Sequence, residues 1–163
     1  QGDITWSGPN ATGQCIVAPC TVEHSNHADG TACSCKDGYK GDITWTGAQA
    51  NGQCTAAPCN IKHSNNADGP ACSCQPGYQG DITWSGPNAT GQCIVAPCTV
   101  EHSNHADGTA CSCKDGYKGD ITWTGAQANG QCTAAPCNIK HSNNADGPAC
   151  SCQPGYQGDI TWS

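Results

Sequence analysis

Sixteen cysteines in 163 residues are the groups best able to do chemistry in this chain. They recur as Cys15-x4-Cys20-x12-Cys33-x-Cys35, and a longer gap then separates Cys35 from Cys54. Thiols at this density have three uses: disulfides, which need an oxidising compartment; zinc ligation as thiolates; or storage of soft metals. Cys15-x4-Cys20 mimics a zinc knuckle, but Cys33-x-Cys35 is tight for a chelating pair and His24 is not placed like a zinc-finger histidine. A metal-storage tail has no need of five Trp and four Tyr. Disulfides are the reading that remains, and no metal or cofactor is expected. Within one unit four cysteines allow three pairings, and spacing does not choose among them.

Other polar constellations carry less. Asn10-Ala11-Thr12 and Asn88-Ala89-Thr90 are N-glycosylation acceptors in Pro/Gly turns, whereas Gln49-Ala50-Asn51 stands between them in the partner unit. Glycans at Asn10 and Asn88 would therefore recur in every second unit. His24, His27 and Asp29 have the ligand types of a zinc or copper loop. The partner unit keeps His63 but has Asn66 in place of His27, and a polar turn is the plainer account. His24, Ser25 and Asp29 also include triad types, but working triads need a cleft and an oxyanion site that one small loop does not offer. Catalysis is not expected. Glu23 and Lys62 hold equivalent places in alternate units, as do Glu101 and Lys140, and read as solvated charges.

These residues sit in a tandem repeat. In an arbitrary frame the units are A (1–39), B (40–78), A (79–117) and B (118–156), with 157–163 opening the next. Cys15, Cys54, Cys93 and Cys132 stand one unit apart, as do Trp6, Trp45, Trp84, Trp123 and Trp162. Two successive units share 25 of 39 positions, and residues 1–85 read identically to residues 79–163. Beginning and ending at one phase, the chain reads as a segment of a longer array.

The unit must be held together by something other than burial. Leu, Phe, Met and Arg are absent, and the 36% hydrophobic content includes the cysteines. Such a chain cannot fill a large interior. No apolar run approaches the roughly 20 residues of a membrane span. A net charge of −7 argues against nucleic acid and anionic membrane as partners. Ile4-Thr5-Trp6 alternates apolar and polar β-formers and predicts a short strand. Pro9–Gly13 reads as a turn, Thr21-Val22-Glu23 as a second short strand, and Ser25–Gly30 and Asp37-Gly38 as further turns. No helical periodicity is present. The expected fold class is small and disulfide-rich, mostly loops with short β-strands, in tandem, without helix.

Cys33-Ser-Cys35-Lys36-Asp37-Gly38-Tyr39-Lys40-Gly41 resembles the Cys-x-Cys-x-x-Gly-Tyr-x-Gly segment that closes an EGF-like module. It returns at Cys72–Gly80, Cys111–Gly119 and Cys150–Gly158. The unit departs from that family in having four cysteines rather than six, a late Cys54 and no calcium signature. The resemblance implies the pairs Cys20–Cys33, Cys35–Cys54, Cys59–Cys72, Cys74–Cys93, Cys98–Cys111, Cys113–Cys132 and Cys137–Cys150, with Cys15 and Cys152 bonded to units beyond the segment. The rival keeps each unit closed through Cys15–Cys33 and Cys20–Cys35.

The functional expectation is structural: a repeat segment of a long secreted, glycosylated filament at the cell surface, such as a surface fibre, flagellar hair, stalk or matrix fibre. Its partner would be itself, in a longer array or a laterally packed filament. The competing expectation is an adhesion array in which Trp rings stack on extracellular polysaccharide.

Overall fold

The computed structural model describes residues 2–162; the side chains of Trp6, Ser7 and Asn10 lie outside that description. The chain divides into two compact units, Gln1–Ser73 with Asp81–Gln92, and Cys74–Gly80 with Cys93–Ser163. Both are made of the same small parts. Among the described residues there is no α-helix; single 3-10 turns such as Gly30–Ala32 and Gly69–Ala71 are the helical content. Among the described residues no helix is long and apolar enough to cross a membrane.

The recurring element is an antiparallel hairpin. Ile43–Thr46 pairs with Gln49–Gly52 in the register Ile43↔Gly52, Thr44↔Asn51, Trp45↔Ala50 and Thr46↔Gln49. The hairpins starting at Ile4, Ile82 and Ile121 repeat it. The predicted Ile-Thr-Trp strand is present, but the turn is shorter than expected: Gly8-Pro9 makes it, and Asn10–Gly13 is the returning strand. The cause is the glycine. Gly47 has φ +59° and Ala48 has no positive φ, the pattern of a two-residue II′ turn, whose twist matches that of the flanking strands. That geometry brings Gln-Ala-Asn-Gly back into pairing despite its poor β propensity. Gly52 closes the strand at φ +136°, where a Cβ would strike the Asp42 carbonyl.

The hairpins starting at Ile43, Ile82 and Ile121 are each flanked by a two-residue ribbon: Tyr39–Lys40 pairs with Thr55–Ala56, Tyr78–Gln79 with Ile94–Val95, and Tyr117–Lys118 with Thr133–Ala134. Thr21-Val22-Glu23 is not a strand. Val22 turns inward, Glu23 and His24 form a turn, and Ser25 makes a single bridge to Cys35. A lone Val beside cysteines has no neighbouring edge with which to pair.

The core is mainly sulfur. Cys20, Val22, Cys33 and Cys54 are buried together, with Cys35, Tyr39, Ile43, Trp45 and Ala50 packed against them. Cys98, Val100, Cys111 and Cys132 form the equivalent cluster with Tyr117, Ile121 and Trp123. The hairpin burial alternates accordingly: Ile43 and Trp45 face the cluster, and Thr44 and Thr46 face solvent.

Candidate functional site

The chemistry-bearing residues converge on a disulfide joint. Two bonds of alternating reach hold each cluster: Cys20–Cys33 spans 13 residues and Cys35–Cys54 spans 19. The series continues as Cys59–Cys72, Cys74–Cys93, Cys98–Cys111, Cys113–Cys132 and Cys137–Cys150. The within-unit alternative is not formed. Cys15, exposed, and Cys152, half-buried, are unbonded. The longer bond carries the hairpin inside its loop, so that closing Cys35–Cys54 presses Ile43 and Trp45 onto Cys20–Cys33. Each closed loop of this length is worth about 3 kcal/mol in the chain-entropy account.

Polar residues thread the loop between the sulfurs. Ser25 is 1% exposed. Its Oγ lies 3.6 Å from Cys20 Sγ and accepts from the His27 backbone N–H at 3.2 Å. His24 and His27 both adopt left-handed backbone, at φ 59° and 53°. Asn and His tolerate that region better than most residues, which accounts for Asn66 replacing His27 in the partner unit: Asn66 has φ 56° and its N–H donates to Ser64 Oγ at 3.2 Å. His24 stacks on Tyr39 with ring centroids 4.3 Å apart, and Lys36 Nζ lies 5.5 Å from the ring centroid. These histidines are therefore engaged in shaping the turn. No group of three or more His, Cys, Asp or Glu suited to a metal ion occurs among the described residues. Glu23 reaches its own His24 at 3.5 Å while its side chain stays 89% exposed.

One residue escaped the sequence reading. The Asn26 side chain accepts from the N–H groups of Ala28 and Ser34, at 3.0 and 3.1 Å, and donates to Ala32 O and Ser34 Oγ, both at 3.0 Å. Asn65, Asn104 and Asn143 repeat the clasp. The signal was available: the Ser-Asn pair recurs in every unit, just ahead of Ala-Asp-Gly.

A second contact ties each turn to a hairpin tip more than one full repeat further along the chain. The hairpin tip at Gly86 reaches back to the Asp37-Gly38 turn: Gly38 N–H donates to Gly86 O, and Gly86 N–H donates to Asp37 Oδ1, each at 2.9 Å. In the other unit Gly77 N–H donates to Gly125 O at 2.9 Å, and Pro76 offers no carboxylate. Each of these hairpins thus latches onto the turn of an earlier repeat.

Asn88 is exposed on its hairpin, and Thr90 Oγ1 lies 2.9 Å from Thr83 Oγ1 across the strands. Thr12 makes the matching contact to Thr5 at 3.1 Å, while the Asn10 side chain is outside the described set. Trp45 and Trp123 pack against the sulfur clusters. A cleft of about 580 Å³ beside the His24–Tyr39 stack is lined by Glu23, Gln53 and Thr55. Tyr39 has His24 stacked on its ring and Lys36 near it, leaving little ring face for a sugar.

The chain matches no protein-family model, no curated protein and no solved structure. The class is thus defined by the fold alone: a disulfide-rich tandem repeat of small antiparallel hairpins.

Proposed function

We propose that this chain is a structural repeat segment of a long, secreted, N-glycosylated filament, and that its units are four-cysteine relatives of EGF-like modules. The observation that carries the reading is the double tie between repeats. Disulfides straddle the joins between units, and hairpin tips latch onto earlier turns, Gly86 to Gly38 and Gly125 to Gly77. Repeats that contact their neighbours propagate in one dimension, and length then grows with copy number. Covalent ties at each join make such an array resistant to extension and to proteolysis. Sugars at Asn10 and Asn88 would give it solubility and shielding. The sulfur-rich core supports an oxidising, extracellular address.

The adhesion reading is less favoured, because Trp45 and Trp123 are committed to packing on cystines. Electron microscopy of native material is the test. Regular filaments whose axial repeat matches one unit or one A–B pair are the expected result; monodisperse soluble particles would overturn it. Quenching or shift of Trp fluorescence by added polysaccharide would instead favour adhesion.

A further inference from the structure

We infer that the turn bearing Glu23 in each A unit is a contact surface for the turn bearing Lys62 in the B unit of a second copy of this chain, so that neighbouring chains pack side by side with A units against B units. The inference deepens the filament reading and rests on it, naming the surface through which one chain meets the next.

The two turns are one structure with opposite charge. Glu23-His24 and Lys62-His63 each form the turn that runs into a buried serine, Ser25 or Ser64. Their backbones agree, with His24 at φ 59° and His63 at φ 62°. Glu101 and Lys140 repeat the alternation. The Glu23 and Glu101 side chains are both 89% exposed. Each has only its neighbouring His as an ion-pair partner, at 3.5 Å, and that group carries charge only when protonated. Lys62 and Lys140 are exposed, and neither makes an ion pair among the described residues.

The acidic turn also has room for the incoming side chain. Glu23, His24, Tyr39, Gln53 and Thr55 are among the residues lining a cleft of about 580 Å³, and their copies in the next A unit line one of about 590 Å³. Glu23 is the one carboxylate of its lining, and among the described residues no lysine lines either cleft. An ammonium group donates hydrogen bonds and accepts none, so that carboxylate is its natural acceptor. A lysine stem buries its methylenes along apolar surface while its head stays near water, and Val22 and Ala56 supply apolar surface in the same cleft.

Alternation then sets the register. Packing A against A would bring Glu onto Glu, Lys onto Lys and the Asn88 sequon onto its own copy. A shift of one unit brings Glu onto Lys throughout and sets each sequon against the bare Gln-Ala-Asn of a B hairpin. A pattern that alternates in this way matches whether the second chain runs parallel or antiparallel. Complementary charge selects partner and register more than it supplies affinity. One exposed ion pair is weak, and contacts repeated along an array add up.

The test uses the folded chain at millimolar concentration and near-physiological ionic strength, where a screening length of about 8 Å confines charge effects to close contacts. Sedimentation equilibrium should show reversible self-association of the wild type. In E23K/E101K two Glu-to-Lys changes raise the net charge by four, from −7 to −3, and so lower the overall repulsion. Association should nevertheless weaken about tenfold, because Lys then meets Lys at every contact. E23K/K62E/E101K/K140E returns the net charge to −7 and should restore association. All four side chains are exposed, so the variants should keep the wild-type fold, which near-UV circular dichroism checks. Carbodiimide coupling in a mixture of light and isotopically heavy wild-type chains should join a Glu23 or Glu101 peptide of one copy to a Lys62 or Lys140 peptide of another. A wild type that does not associate, E23K/E101K associating as strongly as the wild type, no recovery in the four-site variant, or couplings confined to one copy would overturn the contact. Filaments in native material that lack these couplings would sink the contact and leave the filament reading standing. Soluble particles that carry them would sink the filament reading and leave the contact.

Discussion

Replacing Asn104 with Ala removes one clasp and nothing else. The side chain gives up two accepted bonds, from Ala106 N–H at 3.0 Å and Ser112 N–H at 3.2 Å. It also gives up two donated bonds, to Ala110 O at 3.1 Å and Ser112 Oγ at 3.0 Å. A neutral hydrogen bond contributes about 0.5–1.5 kcal/mol net. The side chain is exposed, which favours the lower half of that range, and four bonds then amount to about 2–4 kcal/mol. The backbone bond from Asn104 N–H to Ser112 O, at 2.8 Å, remains in N104A, as does Cys98–Cys111. The loop should therefore loosen locally rather than unfold the chain. Native-state hydrogen exchange reads this directly: the Ala106 and Ser112 amides should exchange roughly 30- to 700-fold faster. The variant peptide differs in mass from its Asn26 copy, which serves as a control in the same sample. N104D, which keeps the two accepted bonds and loses the two donated ones, should fall between. Acceleration below about threefold in N104A would refute the claim that this side chain organises the loop between the sulfurs, because net hydrogen-bond free energies this small would leave the loop held by its cystines alone.

Gly130→Ala should cost about 1–3 kcal/mol, because φ is +138° and the new Cβ meets the Asp120 carbonyl. Gly125→Ala, at φ +55° with open space around it, should cost about 1–2 kcal/mol; a larger loss of denaturant midpoint for Gly125→Ala would contradict the register. Removing Cys98–Cys111 or Cys113–Cys132 as Ser pairs should cost about 3 kcal/mol each, the longer loop a few tenths more. Chemical denaturation of the two double variants checks this, and a difference above about 1 kcal/mol between them would show that loop closure is not the main term. In secreted material, peptide-N-glycosidase should lower the mass of the wild type, and Thr90→Ala should abolish the shift of the peptide containing Asn88; a shift on the Asn51 peptide would contradict the alternation of glycosylated and bare units.

Much of the fold was legible because the residues leave few choices. Ile-Thr-Trp between glycines has no helical periodicity to follow, so it could be read as strand. The absence of Leu, Phe and Met, set against dense Cys, pointed to a core of cystine, and Cys20, Cys33 and Cys54 are buried at its centre. The hairpin return was misread as a turn, because Asn-Ala-Thr-Gly carries turn residues whose pairing is dictated by Gly8 and Gly86 at the preceding corner. Val22 was misread as strand because a β-branched residue signals burial and pairing equally well.

Sequence by itself determined the period, the need for covalent ties and the positions at which sugars are acceptable, since these follow from composition and local chemistry. Tertiary structure decided which sulfurs meet, what Asn26 and Ser25 are for, and that the tip at Gly86 closes on Asp37 and Gly38, more than a full unit back along the chain. Those are contacts between groups distant in sequence. No local preference encodes them; they exist only once chain closure has brought each donor within reach of its acceptor.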